Sequence, residues 1–213
     1  MTEKLFWNDP YLTSHETRVS KIDGPAVYLE STIFFAFSGG QESDSGTIGG
    51  RPVVGAEKLG RDIAYTLPPD HGLLSGDNVE IRIDWGRRYR LMRLHFAAEL
   101  VLEIVYRTFP GIEKTGAHIA ERKARLDFAL TESISPHLPG ILDAVNGLIS
   151  SDASITSAFE EEETERRYWE VEGFARVPCG GTHLRRTGEV GSIKLKRNNI
   201  GKGRERIEIL LDS

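Results

Sequence analysis

Residues 5 to 86 carry short apolar runs broken by polar turns. Ala26-Val27-Tyr28-Leu29 and Thr32-Ile33-Phe34-Phe35-Ala36-Phe37 are rich in aromatic and β-branched side chains, which suit a half-buried pleated surface, and Asp23-Gly24-Pro25 supplies the turn before them. Ser38 to Gly46 (Ser-Gly-Gly-Gln-Glu-Ser-Asp-Ser-Gly) is too glycine-rich for a strand interior. It suits a loop where backbone must come close to something. Further strands are predicted around Arg51 to Val54, Asp62 to Thr66 and Val79 to Asp84, separated by Pro68-Pro69-Asp70-His71-Gly72 and Ser75-Gly76-Asp77-Asn78. Many short strands with polar turns suggest a small β-barrel or sandwich.

At Asp84-Trp85-Gly86 the period changes. Arg87 through Phe109 places Leu91, Leu94, Ala98, Val101, Leu102 and Val105 at helical spacing, and Pro110-Gly111 ends it. Ala117 to Leu130 reads as strand, and Ile134 to Ile149 as a second helix whose regular part Pro136 and Pro139 confine to Gly140 onward. Ile155 to Phe159, Tyr168 to Val177, Ser192 to Arg197 and Arg206 to Leu211 read as strands. The acidic run Glu160 to Glu165 reads as a solvated segment, and Asn198 to Gly203 as a turn. The class is α+β in two domains: residues 1–86, β-barrel-like, and residues 87–213, α+β.

Composition narrows the setting. No run of 18 apolar residues occurs in the 213, the N-terminus is too polar for a secretory signal, and one thiol cannot close an intrachain disulfide. The expected compartment is the reducing cytoplasm, with no membrane contact. The net charge of -5 alone argues against a nucleic-acid partner, but between Arg176 and Arg206 nine basic residues face two acidic ones. A locally basic face of that kind can meet a phosphate backbone.

The candidate chemistry lies in Cys179-Gly180-Gly181-Thr182-His183, where a thiol and an imidazole four residues apart make half a site for a borderline-soft metal such as zinc. In the predicted helix His95 and Glu99 stand at i and i+4 on one face and could present a second pair of donors. Zinc accepts carboxylate as well as imidazole and thiolate. Glu99 therefore has two readings, ligand or general base. Asp44 is read as an anchor of its glycine-rich turn, Glu189 as a cap, and His15, His71, His118 and His137 as surface or turn residues.

Four segments together resemble the free-standing alanyl-tRNA editing proteins, the AlaX family, similar to the editing domain of alanyl-tRNA synthetase. They are Phe6-Trp7-Asn8-Asp9-Pro10-Tyr11-Leu12; Ile33-Phe34-Phe35 through Gly39-Gly40-Gln41 to Asp44-Ser45-Gly46; Arg87-Arg88-Tyr89 through His95; and Cys179 to Gly191 with Gly201 to Ile207. One departure is plain: where the family has a second helix histidine, this chain has Glu99. The resemblance implies a two-layer editing domain of the type shared by threonyl- and alanyl-tRNA synthetases, holding one Zn2+ ion at His95, Cys179 and His183, with Glu99 open. It implies ATP-independent hydrolysis of the ester in tRNA(Ala) misacylated with serine or glycine. Gly39, Gly40 and Gln41 would serve the terminal adenosine, oxyanion or water, and Thr115 the amino-acid side chain. Arg87, Arg88, Arg90 and Arg93, with Arg185, Arg186 and Lys202, would meet the acceptor stem. A tRNA-acceptor-binding module of the same fold that has lost turnover, and a zinc hydrolase of small esters or amides, are the competing readings. The sequence leaves oligomeric state open.

Overall fold

A computed structural model describes residues 1–201 and 203–212. Its contacts divide the chain into two compact units, Met1–Ser38 with Glu42–Tyr89, and Gly39–Gln41 with Arg90–Ser213. It is an α+β chain, mostly sheet with two α-helices.

The first unit holds β1 (Glu3–Lys4), β2 (Ser14–Asp23), β3 (Ala26–Leu29), β4 (Ser31–Thr32), β5 (Gly46–Ile48), β6 (Arg51–Pro52), β7 (Gly55–Leu59), β8 (Asp62–Thr66) and β9 (Asn78–Ile83). β1 and β4 pair in parallel, and the rest form an antiparallel sheet in the order β6-β5-β9-β2-β3-β8-β7. Among the described residues no ladder joins β6 to β7, so both remain edges where a barrel-like domain was expected. The longest strand, β2, escapes a periodicity reading because its sequence is mostly polar and only Thr17 and Val19 are buried.

Residues 32–37 correct a strand expectation. Only Ser31–Thr32 pairs as strand; Ile33, Phe34, Phe35 and Ala36 are buried outside any ladder. Buried backbone still needs partners, and side chains supply them. Arg88 Nη2 donates to Ile33 O at 2.6 Å, Tyr65 Oη to Phe34 O at 2.9 Å, and the Phe35 N–H to Asp44 Oδ2 at 2.7 Å. Asp44 thus anchors its turn as expected, and it also accepts from Arg88, whose side chain is fully buried.

The second unit holds β10 (Glu113–Ile119), β11 (Ala124–Ala129), β12 (Thr156–Glu161), β13 (Arg166–Val171), β14 (Ala175–Pro178), β15 (Ile193–Gly201) and β16 (Arg204–Leu211). The helices are α1 (Trp85–Thr108), whose first five residues belong to the first unit, and α2 (Leu138–Ser150). One antiparallel sheet runs β10-β11-β16-β15 and a second runs β12-β13-β14. Two segments read as single strands are hairpins. Residues 117–130 turn at Ala120–Lys123, which lacks glycine and proline, and residues 168–177 turn at Gly173, whose φ of +73° suits glycine. α2 starts at Leu138, before the expected Gly140, because proline is tolerated in a first helical turn.

Asp84 caps α1 by accepting the Arg87 N–H at 3.0 Å. From Leu91 to Val105 the helix is buried on more than one stripe, with Leu91, Met92, Leu94, Phe96, Ala97, Leu100, Val101 and Val105 all near zero exposure. The polar residues of that stretch are Arg93, His95, Glu99 and Glu103, of which His95 alone is buried. α2 buries Ile141, Val145 and Ile149 and is tied to the Thr187–Val190 turn by Thr187 Oγ1 donating to Leu148 O at 2.7 Å.

Candidate metal centre

All the side chains of the centre belong to the second unit. α1 presents His95 and Glu99 one turn apart. β14 ends at Pro178, and the next N–H, that of Cys179, still donates to Arg167 O at 2.9 Å, so the β13–β14 ladder fixes where the thiol stands. The loop then brings round His183, 3% exposed. One ligand atom from each of His95, Cys179 and His183 lies within 4.8 Å of the other two. His95 Nε2 is 3.4 Å and His183 Nε2 3.3 Å from Cys179 Sγ, and Glu99 Oε1 is 3.2 Å from His95 Nε2 and 3.6 Å from Cys179 Sγ.

The outer hydrogen bonds fix which ring atoms face inward. Gln41, 1% exposed, donates from Nε2 to Thr182 Oγ1 at 2.9 Å, which leaves its Oε1 to accept from His95 Nδ1 at 2.6 Å. His95 Nδ1 is then the donor, and in the neutral ring the Nε2 lone pair points at the sulfur and carboxylate. Ser157 Oγ lies 2.9 Å from His183 Nδ1, and the Trp169 indole N–H donates to Glu99 Oε2 at 3.2 Å. Ser157 and Trp169 face each other across the β12–β13 ladder, so one register pair serves two inner residues. Outer partners that set tautomer and orientation are characteristic of metal-ligating histidines.

Two glycines make the packing possible. A Cβ on Gly181 would lie 2.6 Å from His95 Nδ1 and 3.0 Å from Gln41 Oε1. On Gly40, with φ of +88°, it would lie 2.9 Å from Ala117 O. Gly40 O accepts the Ile119 N–H at 2.7 Å and Gln41 bridges Ile119, so the Gly39–Gln41 segment is docked on β10.

Electrostatics describe a cluster of acceptors in need of a positive charge. Burial alone would lower the His95 pKa, but Cys179 and Glu99 overcome it and raise it to about 10. Burial likewise opposes the Glu99 charge, yet the His95 hydrogen bond and charge, His183 and Trp169 hold its carboxyl down at about 2. Burial, then the neighbouring charged His95, push His183 to about 3. Without a cation a proton on His95 serves the thiol and carboxylate. A sulfur and two imidazole nitrogens within 4.8 Å of one another can instead hold a metal ion, with the Glu99 carboxylate beside Cys179 and His95.

Other expected site residues lie elsewhere. Thr115 is exposed at the bulge of β10, outside the hydrogen-bonded cluster. Arg88 is corrected outright: fully buried and bonded to Asp44, Pro10 O and Ile33 O, it has no edge for a phosphate and is structural. Arg87 bonds Glu42 and Ser43 O, Arg93 Nε donates to Val190 O at 2.9 Å, and Arg186 pairs with Asp152. Arg185 is exposed, and Lys202 lies outside the described residues. Glu189 caps its turn, accepting from the Arg185 and Arg186 N–H groups. Much of the basic count is neutralised across strands, Arg206 by Asp127, Arg197 by Glu205 and Lys194 by Asp212. Asp127 lies outside any window drawn around residues 176–206.

Residues the sequence did not single out are Ser157, Trp169, Thr182 and Arg167. Arg167 is 5% exposed, with its guanidinium 4.6 Å over the Phe159 ring, and burial lowers its pKa to about 10 against the pull of Cys179. A Ser or Trp in a strand carries no local signal of an outer-shell role. Only the register reveals it.

The α+β fold, mostly sheet with two helices, is consistent with an editing domain of the synthetase type. Residues 170–208, which include Cys179 and His183, match the threonyl and alanyl tRNA synthetase second additional domain. Over its full length the chain is 33% identical to the alanyl-tRNA editing protein AlaX-M of Pyrococcus horikoshii, covering 99% of that protein. It is 33% identical to that of Methanosarcina mazei, with 97% of this chain and 95% of that one aligned. The alanine–tRNA ligase of Methanococcus aeolicus is 30% identical over 97% of this chain but only 25% of its own length. The chain belongs to the AlaX family of alanyl-tRNA editing proteins. Among the described residues no helix is long and apolar enough to cross a membrane.

Proposed function

We propose that the chain hydrolyses the ester joining serine or glycine to the terminal ribose of tRNA for alanine, in the cytoplasm, with one zinc ion held by Cys179 Sγ, His95 Nε2, His183 Nε2 and Glu99 Oε1. The convergence of three ligand atoms from two distant segments to within 4.8 Å carries this reading. A thiolate, two imidazoles and a carboxylate suit zinc. When bound, the ion would supply Lewis acidity toward the ester carbonyl by admitting that oxygen as a donor beyond the four protein atoms. Glu99 is assigned to the donor set because its Oε1 already lies 3.6 Å or less from two of the other donors.

The remaining work is positioning. Gln41 holds the His95 proton at Nδ1 and Ser157 orients His183, so both rings turn Nε2 inward. Gly39 and Gly40, at φ of +60° and +88°, offer backbone amides to the ester oxygen or the terminal adenosine. Thr115, two residues before the Ala117 carbonyl that lies against Gly40, offers a hydroxyl for a serine side chain. Exposed Arg185, Lys196 and Arg204 meet acceptor-stem phosphates, which position the tRNA without reading bases. The names of the full-length relatives support the substrate class.

Deacylation of seryl-, glycyl- and alanyl-tRNA(Ala) by the purified, zinc-loaded chain tests the proposal. Release of serine or glycine, lowered about 100-fold or more by Cys179→Ala, is expected. Release no faster than spontaneous hydrolysis by a folded, metal-loaded protein overturns it and leaves a tRNA-binding module.

A further inference from the structure

We propose that Trp169 is a positioning residue that makes Glu99 a one-oxygen donor, so that a carboxylate can stand where a single-donor imidazole would otherwise serve. This rests on the metal site proposed above. Trp169 is fully buried, its ring edge-on to Phe96 with centroids 5.1 Å apart and stacked on Phe174 at 6.5 Å. A buried indole N–H needs an acceptor, and the acceptor it has is Glu99 Oε2 at 3.2 Å. That bond leaves only Oε1 facing His95 Nε2 and Cys179 Sγ.

The clamp answers a chemical problem. A glutamate carboxylate has two donor atoms and three rotatable bonds; unrestrained, it can bind a cation through both oxygens, raise the coordination number, or swing away. Holding Oε2 removes the first option, and anchoring the carboxylate to a rigid indole removes the last. The β12–β13 register makes the indole rigid, because Trp169 sits between Ser157 and Val177 in its ladder. With Glu99 and a Cys179 thiolate as donors, the set carries two negative charges and neutralises a divalent cation.

Zinc affinity by competition with a chelating dye, and the visible absorption of the cobalt(II) form, test this on the full chain as wild type, Trp169→Phe, Glu99→Ala and the double variant. Trp169→Phe should bind zinc about 10- to 100-fold more weakly. Its cobalt bands should weaken as a four-coordinate site admits a fifth donor, while the double variant should bind no more weakly than Glu99→Ala. Equal affinity and spectrum for Trp169→Phe overturn the clamp, as does an equal loss in the Glu99→Ala background, which would mark packing alone. If the wild type binds neither metal, the site itself fails, and the clamp with it. A measurement that needs no Trp169 variant is the indole N–H resonance of 15N-labelled protein: it should shift on zinc addition and lose exchange protection in Glu99→Ala. No change in either overturns the proposal.

Discussion

Gly181→Ala isolates the placement of His95 more cleanly than removing a ligand. Gly181 is not in the left-handed region, so alanine is locally allowed and the whole effect comes from what the new methyl meets. That methyl would stand 2.6 Å from His95 Nδ1 and 3.0 Å from Gln41 Oε1, whereas carbon contacts settle near about 3.5 Å. His95 Cε1 would lie closer still, so ring or loop must yield by about 1.5 Å. Overpacking of this kind costs about 1–3 kcal/mol of stability, and a misplacement of about 1 Å costs near 100-fold in rate. The expected result is a folded protein with zinc affinity down about 10- to 100-fold and single-turnover deacylation of seryl-tRNA(Ala) down about 100-fold. Gly180→Ala is the control, since its Cβ would have nothing within 4 Å. Wild-type zinc affinity and rate in Gly181→Ala would refute the packing of His95 described above.

Gln41→Ala removes the acceptor of His95 Nδ1 and should lower zinc affinity about 10- to 100-fold, read by dye competition. Asp44→Ala leaves the Arg88 guanidinium buried without its carboxylate and should cost about 3–5 kcal/mol, a fall of roughly 10 °C in Tm by calorimetry, without altering zinc stoichiometry. Removing metal with a chelator should lower Tm by several degrees, because a ligand at 100 times its Kd contributes about 2.7 kcal/mol. The metal-free protein should be most stable near pH 6.5, the ordinary histidine value. His95, raised to about 10, loses its contribution as pH climbs from 6.5 toward 10; His183, lowered to about 3, destabilises as pH falls from 6.5 toward 3. A flat urea-midpoint profile between pH 5 and 9 would contradict that assignment.

The inner residues were legible because their signals are local: i,i+4 spacing puts His95 and Glu99 on one face of a helix, and Cys179 and His183 bracket a tight loop. What was not legible depends on pairing across the chain. The fate of Arg88 turned on Asp44, forty-four residues away, and a count of basic residues could not see Asp127 opposite Arg206. Residues 32–37 have strand composition but satisfy their backbone through Arg88, Tyr65 and Asp44, a solution no propensity encodes. The polar strand β2 and the hairpin at Ala120–Lys123 failed for the opposite reason, since neither carries the apolar alternation or turn residues that mark such elements.

X-ray absorption at the zinc edge of the purified chain tests the centre most directly. One sulfur near 2.3 Å with nitrogen and oxygen donors at about 2.0–2.2 Å is the predicted shell, and the sulfur should vanish in Cys179→Ala. A bound zinc with no sulfur neighbour in the wild type, or an unchanged shell in that variant, would contradict a metal centre built on Cys179, His95 and His183.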